Sequence, residues 1–118
     1  LSIDLAPTVL DLAGLKRSDA PKMNGRSLAP FLRGGNPKNW RKSFFIEYNT
    51  DTVFPRVYRM GYRAIRTNRW KLIHYLDLEG MDELYDLKRD PYELENRIDD
   101  PAVQATLENL RTQLNRIL

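Results

Sequence analysis

The chain predicts an α+β protein: a small antiparallel sheet of three or four strands covered by a long C-terminal helix, with two short helices ahead of it. Three observations point there. Apolar residues follow a period of two through the middle of the chain. They recur at spacings of four and three from Val103 onward, at Leu107, Leu110, Leu114 and Ile117. Between the two patterns, Asp90-Pro91 stops any strand, because proline cannot donate to a ladder. Residues 83–96, ELYDLKRDPYELEN, are therefore the expected joint between the sheet and the helix that covers it.

Taken in order, Ser2 or Asp4 can cap a first helix whose apolar residues Leu5, Val9, Leu12 and Ala13 share one face. Pro7 stands early in it, and Gly14 follows as a left-handed stop. Residues 16–25 read as a loop with Asn24-Gly25 as a turn signal. Ser27 and Pro30 then repeat the capping device for a short helix through Leu28, Phe31 and Leu32, ended by Gly34 and Gly35. The break over residues 34–38 divides the chain into residues 1–34 and residues 35–118.

Past the break, SFFIEY (Ser43–Tyr48) is rich in aromatic and β-branched residues and reads as a strand, with residues 49–55 a polar loop. Residues 60–67 and 70–75 flank Asn68-Arg69 as a hairpin. In its second arm Trp70, Leu72 and His74 share one face, and Lys71, Ile73 and Tyr75 the other. Residues 84–87 add a further strand. Asp90-Pro91 with Glu93 reads as the start of a second, shorter helix. For the long helix Asp100 caps and Pro101 takes the first position; Gln104, Glu108, Arg111 and Asn115 lie opposite the apolar stripe. Burying the stripe contributes about 1.5 to 3 kcal/mol per side chain before entropy is charged against it.

At 118 residues the chain suits one domain of ordinary size. Its 42% hydrophobic and 30% charged residues exclude a disordered chain. No apolar run approaches the ~20 residues of a membrane span, and no signal peptide is read at the start. Without cysteine, disulfides, zinc-thiolate sites and thiol nucleophiles are excluded within the chain. The opening at Leu1, inside an element boundary, leads us to expect a piece of a longer protein. The net charge of +3 is unevenly spread. Residues 52–76 hold no acid but carry Arg56, Arg59, Arg63, Arg66, Arg69 and Lys71, whereas acids dominate residues 77–100. Such a separation means either an anion-binding face or two segments that neutralise each other.

The series Ser2, Asp4, Pro7, Thr8, Leu12, Ala13, Gly14, then Gly25 and Ser27-Leu28, then residues 63–75 ending in the Trp70-Lys71 strand, then ELYDL, Asp90-Pro91, Glu93 and Asn96, resembles the C-terminal part of a sulfatase of the alkaline phosphatase superfamily. The likeness runs in order over nearly the whole chain, and residues 83–96 are its most specific part. Asn24 stands where the family usually has Asp, and Arg97 where leucine is common. The resemblance implies a parent enzyme that hydrolyses sulfate esters with a formylglycine, made from the Cys or Ser of a C/S-x-P-x-R motif, beside a bound calcium. Neither that motif nor a cysteine occurs here, so no catalytic residue, metal ligand or cofactor is expected in this chain; both groups are expected in an N-terminal domain. It further implies that residues 1–34 close the catalytic α/β domain and residues 35–118 form its C-terminal subdomain. The N-terminal catalytic domain is then the partner, and a sulfated small molecule or glycan the parent's substrate. Family habit implies a periplasmic, extracellular or lysosomal enzyme.

Within the chain the resemblance points to one candidate substrate contact, the loop over residues 49–58, since C-terminal subdomains of this family can lend loops to the pocket rim. Arg56 and Arg59 can each offer two parallel donors to an oxyanion, Tyr48 can stack on a sugar ring, and Asn49 lies beside them. The competing reading pairs these arginines with Glu47, Asp51 or the acidic joint, and Arg63, Arg66 and Lys71 are assigned to local acids. His74 is expected to be a packed residue rather than a general base. The pairs Asp99-Asp100 and Glu93 with Glu95 are assigned to helix starts rather than to paired-acid chemistry. Asp82, Asp86 and Asp90 lack the spacing of a calcium-binding hand. A rival from another class is a free-standing basic module for an anionic polymer or nucleic acid, using Tyr58, Tyr62, Trp70 and Tyr75 as stacking rings. No RNA-binding signature accompanies those rings, so neither nucleic acid nor membrane is the expected partner. A third reading is purely structural, a shield for the catalytic domain that takes no ligand.

Overall fold

The computed structural model describes residues 1–15, 18–49 and 55–117. They form two compact units, Leu1–Trp40 and Arg41–Leu118.

In the first unit a 3-10 turn, Ser2–Asp4, runs into helix α1 (Leu5–Leu12), and helix α2 (Ala29–Leu32) follows after a loop. The buried side of α1 is polar. Asp4 and Thr8 are 0% and 7% exposed, while Leu5, Val9 and Leu12 are 61%, 64% and 53% exposed. Neither Ser2 nor Asp4 caps α1 through its side chain, contrary to expectation. Asp4 Oδ1 instead accepts the Arg26 amide at 2.9 Å, and Thr8 Oγ1 accepts the Leu28 amide at 2.8 Å while donating to the Asp4 carbonyl. These long-range bonds satisfy loop amides that would otherwise be buried without partners. They hold the loop so close that a Cβ on Gly25 would stand 1.8 Å from the Ile3 carbonyl oxygen, which is why glycine is needed there. Gly14 and Gly34 end the two helices in the left-handed region, at φ +81° and +80°, and Ser27 Oγ accepts the Ala29 amide as anticipated.

The second unit is a four-stranded antiparallel sheet in the order β1 (Ser43–Tyr48), β2 (Tyr62–Thr67), β3 (Trp70–Tyr75), β4 (Glu83–Asp86). Helix α3 (Gln104–Ile117), entered through a 3-10 turn at Pro101–Val103, covers one face. Ile65, Leu72 and Leu84 meet Val103, Leu107, Leu110 and Leu114 in the core, flanked by Phe45, Trp70 and Ile98. Asp100 caps as predicted, accepting the Ala102 amide at 2.8 Å. Ile117, the last residue of the predicted stripe, is 50% exposed and lies outside the core cluster, so the stripe outruns the sheet it covers by one turn.

The joint holds the clearest departure. No helix starts at Asp90-Pro91; residues 91–98 are turns and irregular backbone. Glu93 takes φ +57°, which no helix tolerates, and its carboxylate reaches back to Lys71 Nζ at 2.5 Å. Asp90 Oδ2 accepts the Glu95 amide at 2.8 Å, a side-chain turn that competes with the helix. Asn96 then closes the open edge of β4: its Oδ1 accepts the Leu84 amide at 2.9 Å, and the Arg97 amide donates to the Leu84 carbonyl at 2.8 Å. That pairing leaves no free ladder groups at Leu84 for another chain to join.

Candidate functional site

Strand register divides the side chains of the sheet between its two faces. The face opposite α3 carries three cross-strand rows. Phe44, Arg66, Lys71 and Tyr85 form the first; Ile46, Ala64, Ile73 and Glu83 the second; Tyr48, Tyr62 and Tyr75 the third. Tyr48 stacks on Tyr62 with ring centroids 5.7 Å apart, and Tyr62 meets Tyr75 edge-on at 6.0 Å. Glu83 bridges the rows by accepting the Tyr75 hydroxyl at 3.0 Å on one oxygen and the Tyr85 hydroxyl at 2.8 Å on the other. Burial, and then that carboxylate, pushes the Tyr85 phenol up to about 12 and raises Tyr75 in the same direction.

Of the candidate substrate residues, Tyr48 belongs to the tyrosine row of this face. Tyr48 closes β1 and Asn49 follows it, exposed. Arg56 belongs to an exposed 3-10 turn, Pro55–Val57, and Arg59, at φ +61°, donates through Nη2 to the Asp77 carbonyl at 3.0 Å. Between them, residues 50–54, including Asp51, lie outside the described residues. The strand cations go to local partners: Arg63 Nε bonds Glu47 at 3.1 Å, Lys71 bonds Glu93, and Arg66 lies over the Phe44 ring at 5.8 Å.

The other charged groups organise the joint. Asp86, 1% exposed, takes a forked bond from Arg69, 3.0 Å from Nε to Oδ1 and 2.7 Å from Nη2 to Oδ2, with Arg97 also nearby at 3.9 Å. The Arg69 guanidinium holds the Asp86 carboxyl below the usual range, and Arg69 also covers the Trp70 ring at 4.9 Å. Asp100 is held low by the Ala102 amide and then by Arg97. His74 is not the packed residue expected from the alternation. It shares the α3 face with Leu72, yet is 52% exposed, with Nδ1 3.0 Å from Asp82, which also faces Arg111 at 3.6 Å. Sequence spacing placed the face correctly but not the partner, Asp82, which lies eight residues further along the chain. In the first unit a cavity of about 590 Å³ is lined by Leu10, Asp11, Met23, Arg26 and Ser27, and none of the candidate residues lines it. Among the described residues no three His, Cys, Asp or Glu side chains form a group that could hold a metal, and no helix is long and apolar enough to cross a membrane.

The helix-backed four-stranded antiparallel sheet superposes on solved sulfatase structures, with TM-scores of 0.76 and 0.78 at 36% identity. The family described as N-sulphoglucosamine sulphohydrolase, C-terminal, matches residues 1–118, and the chain belongs to it. It is 37% identical, over 97% of its length, to a Delta 4,5-hexuronate-2-O-sulfatase of Bacteroides thetaiotaomicron, of which it covers 22%. It is 31% identical to an N-acetylglucosamine-6-sulfatase of Bos taurus, covering 21% of that protein with 80% of its own residues. A solved structure in complex with its substrate D-glucosamine-2-N,6-O-disulfate superposes with TM-score 0.80 at 31% identity, over 97% of this chain and 23% of that one. A phosphonate monoester hydrolase from Silicibacter pomeroyi does so with TM-score 0.75 at 30% identity, over 98% and 24%. The chain thus spans about a fifth of the length of the curated relatives it matches.

Proposed function

We propose that the chain is the C-terminal part of an enzyme that hydrolyses sulfate esters on a sugar, and that it packs on that enzyme's catalytic domain and lends the loop over residues 49–58 to the rim of the substrate pocket. The observation that carries this reading is the family match over the whole chain, joined to relatives named as sugar sulfatases that are about five times longer. A formylglycine and a calcium ion would supply the sulfate-ester chemistry. This chain has no cysteine and no Ser-x-Pro-x-Arg for a formylglycine, and among the described residues no three His, Cys, Asp or Glu side chains group to hold a metal, so we assign both to the remainder of the longer protein. The apolar face of α1, with Leu5, Val9 and Leu12 more than half exposed, supports docking, because apolar residues set in line on a helix are left open only where something else covers them.

At the rim, Arg56 carries its charge on an exposed turn, and Arg59 keeps further guanidinium donors beside the one bound to Asp77. Together they would hold a sulfate or carboxylate of the substrate, with Tyr48 beside the sugar ring. The test is sulfate release by the intact enzyme from 6-O- and 2-O-sulfated saccharides. Replacing both Arg56 and Arg59 by Ala is expected to raise KM about tenfold on the anionic substrate, the loss of one charge-assisted contact of ~1.4 kcal/mol, with kcat little changed. Unchanged kinetics would remove the rim role and leave the structural one.

A further inference from the structure

We propose that the groove between α3 and the β2–β3 hairpin is a second saccharide site, which holds a sulfated sugar of an oligosaccharide away from the ester being cleaved. The inference rests on the sulfatase reading and adds to it a point of contact for a longer chain. The groove has a volume of about 310 Å³ and is walled by Thr67 and Trp70 on the hairpin and by Thr106, Asn109 and Gln113 on the helix. That volume lies at the small end of ligand sites and suits one sugar ring. Trp70 belongs to the α3 face of the sheet, at the end where β2 turns into β3. Tyr48 and Tyr62 lie on the other face at the far end of their strands, about 17 Å along β2 at the rise of an extended chain.

The chemistry of the lining selects the occupant. Trp70, half-buried, gives the groove an apolar wall, and its indole N–H has no acceptor among the described residues. Across from it, Gln113 Nε2 donates to Asn109 Oδ1 at 2.5 Å. That bond leaves the Asn109 amide donors and the Gln113 carbonyl open on consecutive turns, a donor beside an acceptor, as neighbouring sugar hydroxyls require. The groove is lined by no acid, and cations flank it. Arg69 covers the Trp70 ring at 4.9 Å and is 53% exposed. Asp86 engages its Nε and Nη2, so the Nη1 donors remain for a sulfate and the guanidinium is positioned before a ligand arrives. Arg116 stands on α3 one turn beyond Gln113, without an ion-pair partner among the described residues. A single-stranded nucleic acid would need several rings in succession, and only one lines the groove. A second copy of the chain would need an apolar patch of roughly 800 Å², far more than this polar groove presents.

The experiment uses the intact protein, with a long heparin-derived oligosaccharide, its desulfated form and a single-stranded oligonucleotide as probes. In the unsubstituted protein, hydroxyl-radical footprinting should show Trp70 protected several-fold by the sulfated oligosaccharide and little by the other two. No protection of Trp70, or equal protection by the desulfated chain or the oligonucleotide, would overturn the proposal. The double variant Asn109→Asp with Gln113→Glu keeps the size of both side chains and sets two carboxylates at the groove. Calorimetry should show it binding the sulfated oligosaccharide about tenfold more weakly, with the Tm retained, whereas Glu108→Gln on the outer side of α3 leaves the affinity unchanged. Unweakened binding by the double variant overturns the proposal, as does a change in its oligomeric state without a change in affinity. Sulfate release is measured on the unsubstituted protein in parallel. Its absence, with Trp70 protected, would overturn the functional reading and leave the groove standing as a saccharide site, so the two failures are distinct.

Discussion

The two units bury opposite kinds of residue. Arg41–Leu118 closes an aliphatic core between a sheet and a helix, with Ile65, Leu72 and Leu84 all at 0% exposure. Leu1–Trp40 buries Asp4 and Thr8 and turns Leu5, Val9 and Leu12 outward. One is held by packing, the other by hydrogen bonds to a loop. An amphipathic pattern therefore says only that a face will be covered; it does not say that the cover belongs to the same chain.

The comparison breaks most directly at the aliphatic core. Leu110→Ala removes a side chain that is 2% exposed, from the centre of the α3 stripe, and should cost about 3 kcal/mol, within the usual ~2 to 5 for buried leucine, read by denaturant unfolding of the 118-residue chain. A loss below ~1 kcal/mol would mean the sheet and helix are not the main source of stability. In the hydrogen-bonded unit the most sensitive position is Gly25. An added methyl group meets the Ile3 backbone at 1.8 Å, so Gly25→Ala must push the loop from α1 and break the Asp4–Arg26 or Thr8–Leu28 bond. The expected cost is about 2 to 3 kcal/mol, as for overpacking with loss of a buried bond, seen as faster amide exchange at Arg26 and Leu28.

Asp86 tests whether the second unit also depends on charge. Asp86→Asn keeps the shape and loses the forked bond with Arg69; because Arg69 is 53% exposed, the cost should be about 2 kcal/mol, below the ~3 to 5 of a fully buried pair. The same group sets an acid limit. A carboxyl lowered by folding stabilises the fold above its unfolded pKa and ceases to do so as pH falls through the folded value. Asp86 and Asp100 are both lowered, so stability should decline below about pH 4 and the decline should be shallower in Asp86→Asn. At the alkaline side the sign reverses: the raised Tyr85 and Tyr75 favour the neutral phenol, so stability holds below about pH 10 and falls as pH rises toward the folded value, about 12 for Tyr85. Glu83→Gln removes the nearby negative charge and should bring the phenolate absorbance change to lower pH.

Much of the second unit was legible in sequence. The period-two runs gave β1 with its observed ends, the Asn68-Arg69 turn gave the hairpin, and Asp100-Pro101 gave the start of the covering helix. Each signal is local, and local signals survive folding. Residues 91–98 escaped for the opposite reason. A capping pattern is a local offer, and here Asp90 used it for a turn while Glu93 left for Lys71, a residue 22 positions away. The fate of Asp4 and Thr8 was hidden in the same manner, since their partners lie 22 and 20 residues downstream. Of the candidate site, sequence placed Tyr48 at a strand end and Arg56 in the loop over residues 49–58, where the structure has a 3-10 turn, Pro55–Val57. What it missed is the tyrosine row, which requires the register of three strands at once.

The smallest expected effect sharpens the opening contrast most. Val9 lies at 64% exposure on α1, so Val9→Lys removes little buried surface, and lysine is a slightly better helix former than a β-branched residue. In the 118-residue chain the change should stay within about 0.5 kcal/mol. In the longer protein, where the α1 face is proposed to be covered, the same lysine would be buried without a partner and should destabilise by an amount several-fold larger. Equal effects in the two settings would show that the face of α1 is open in both. The apolar pattern of α1 would then need a reason other than a missing cover.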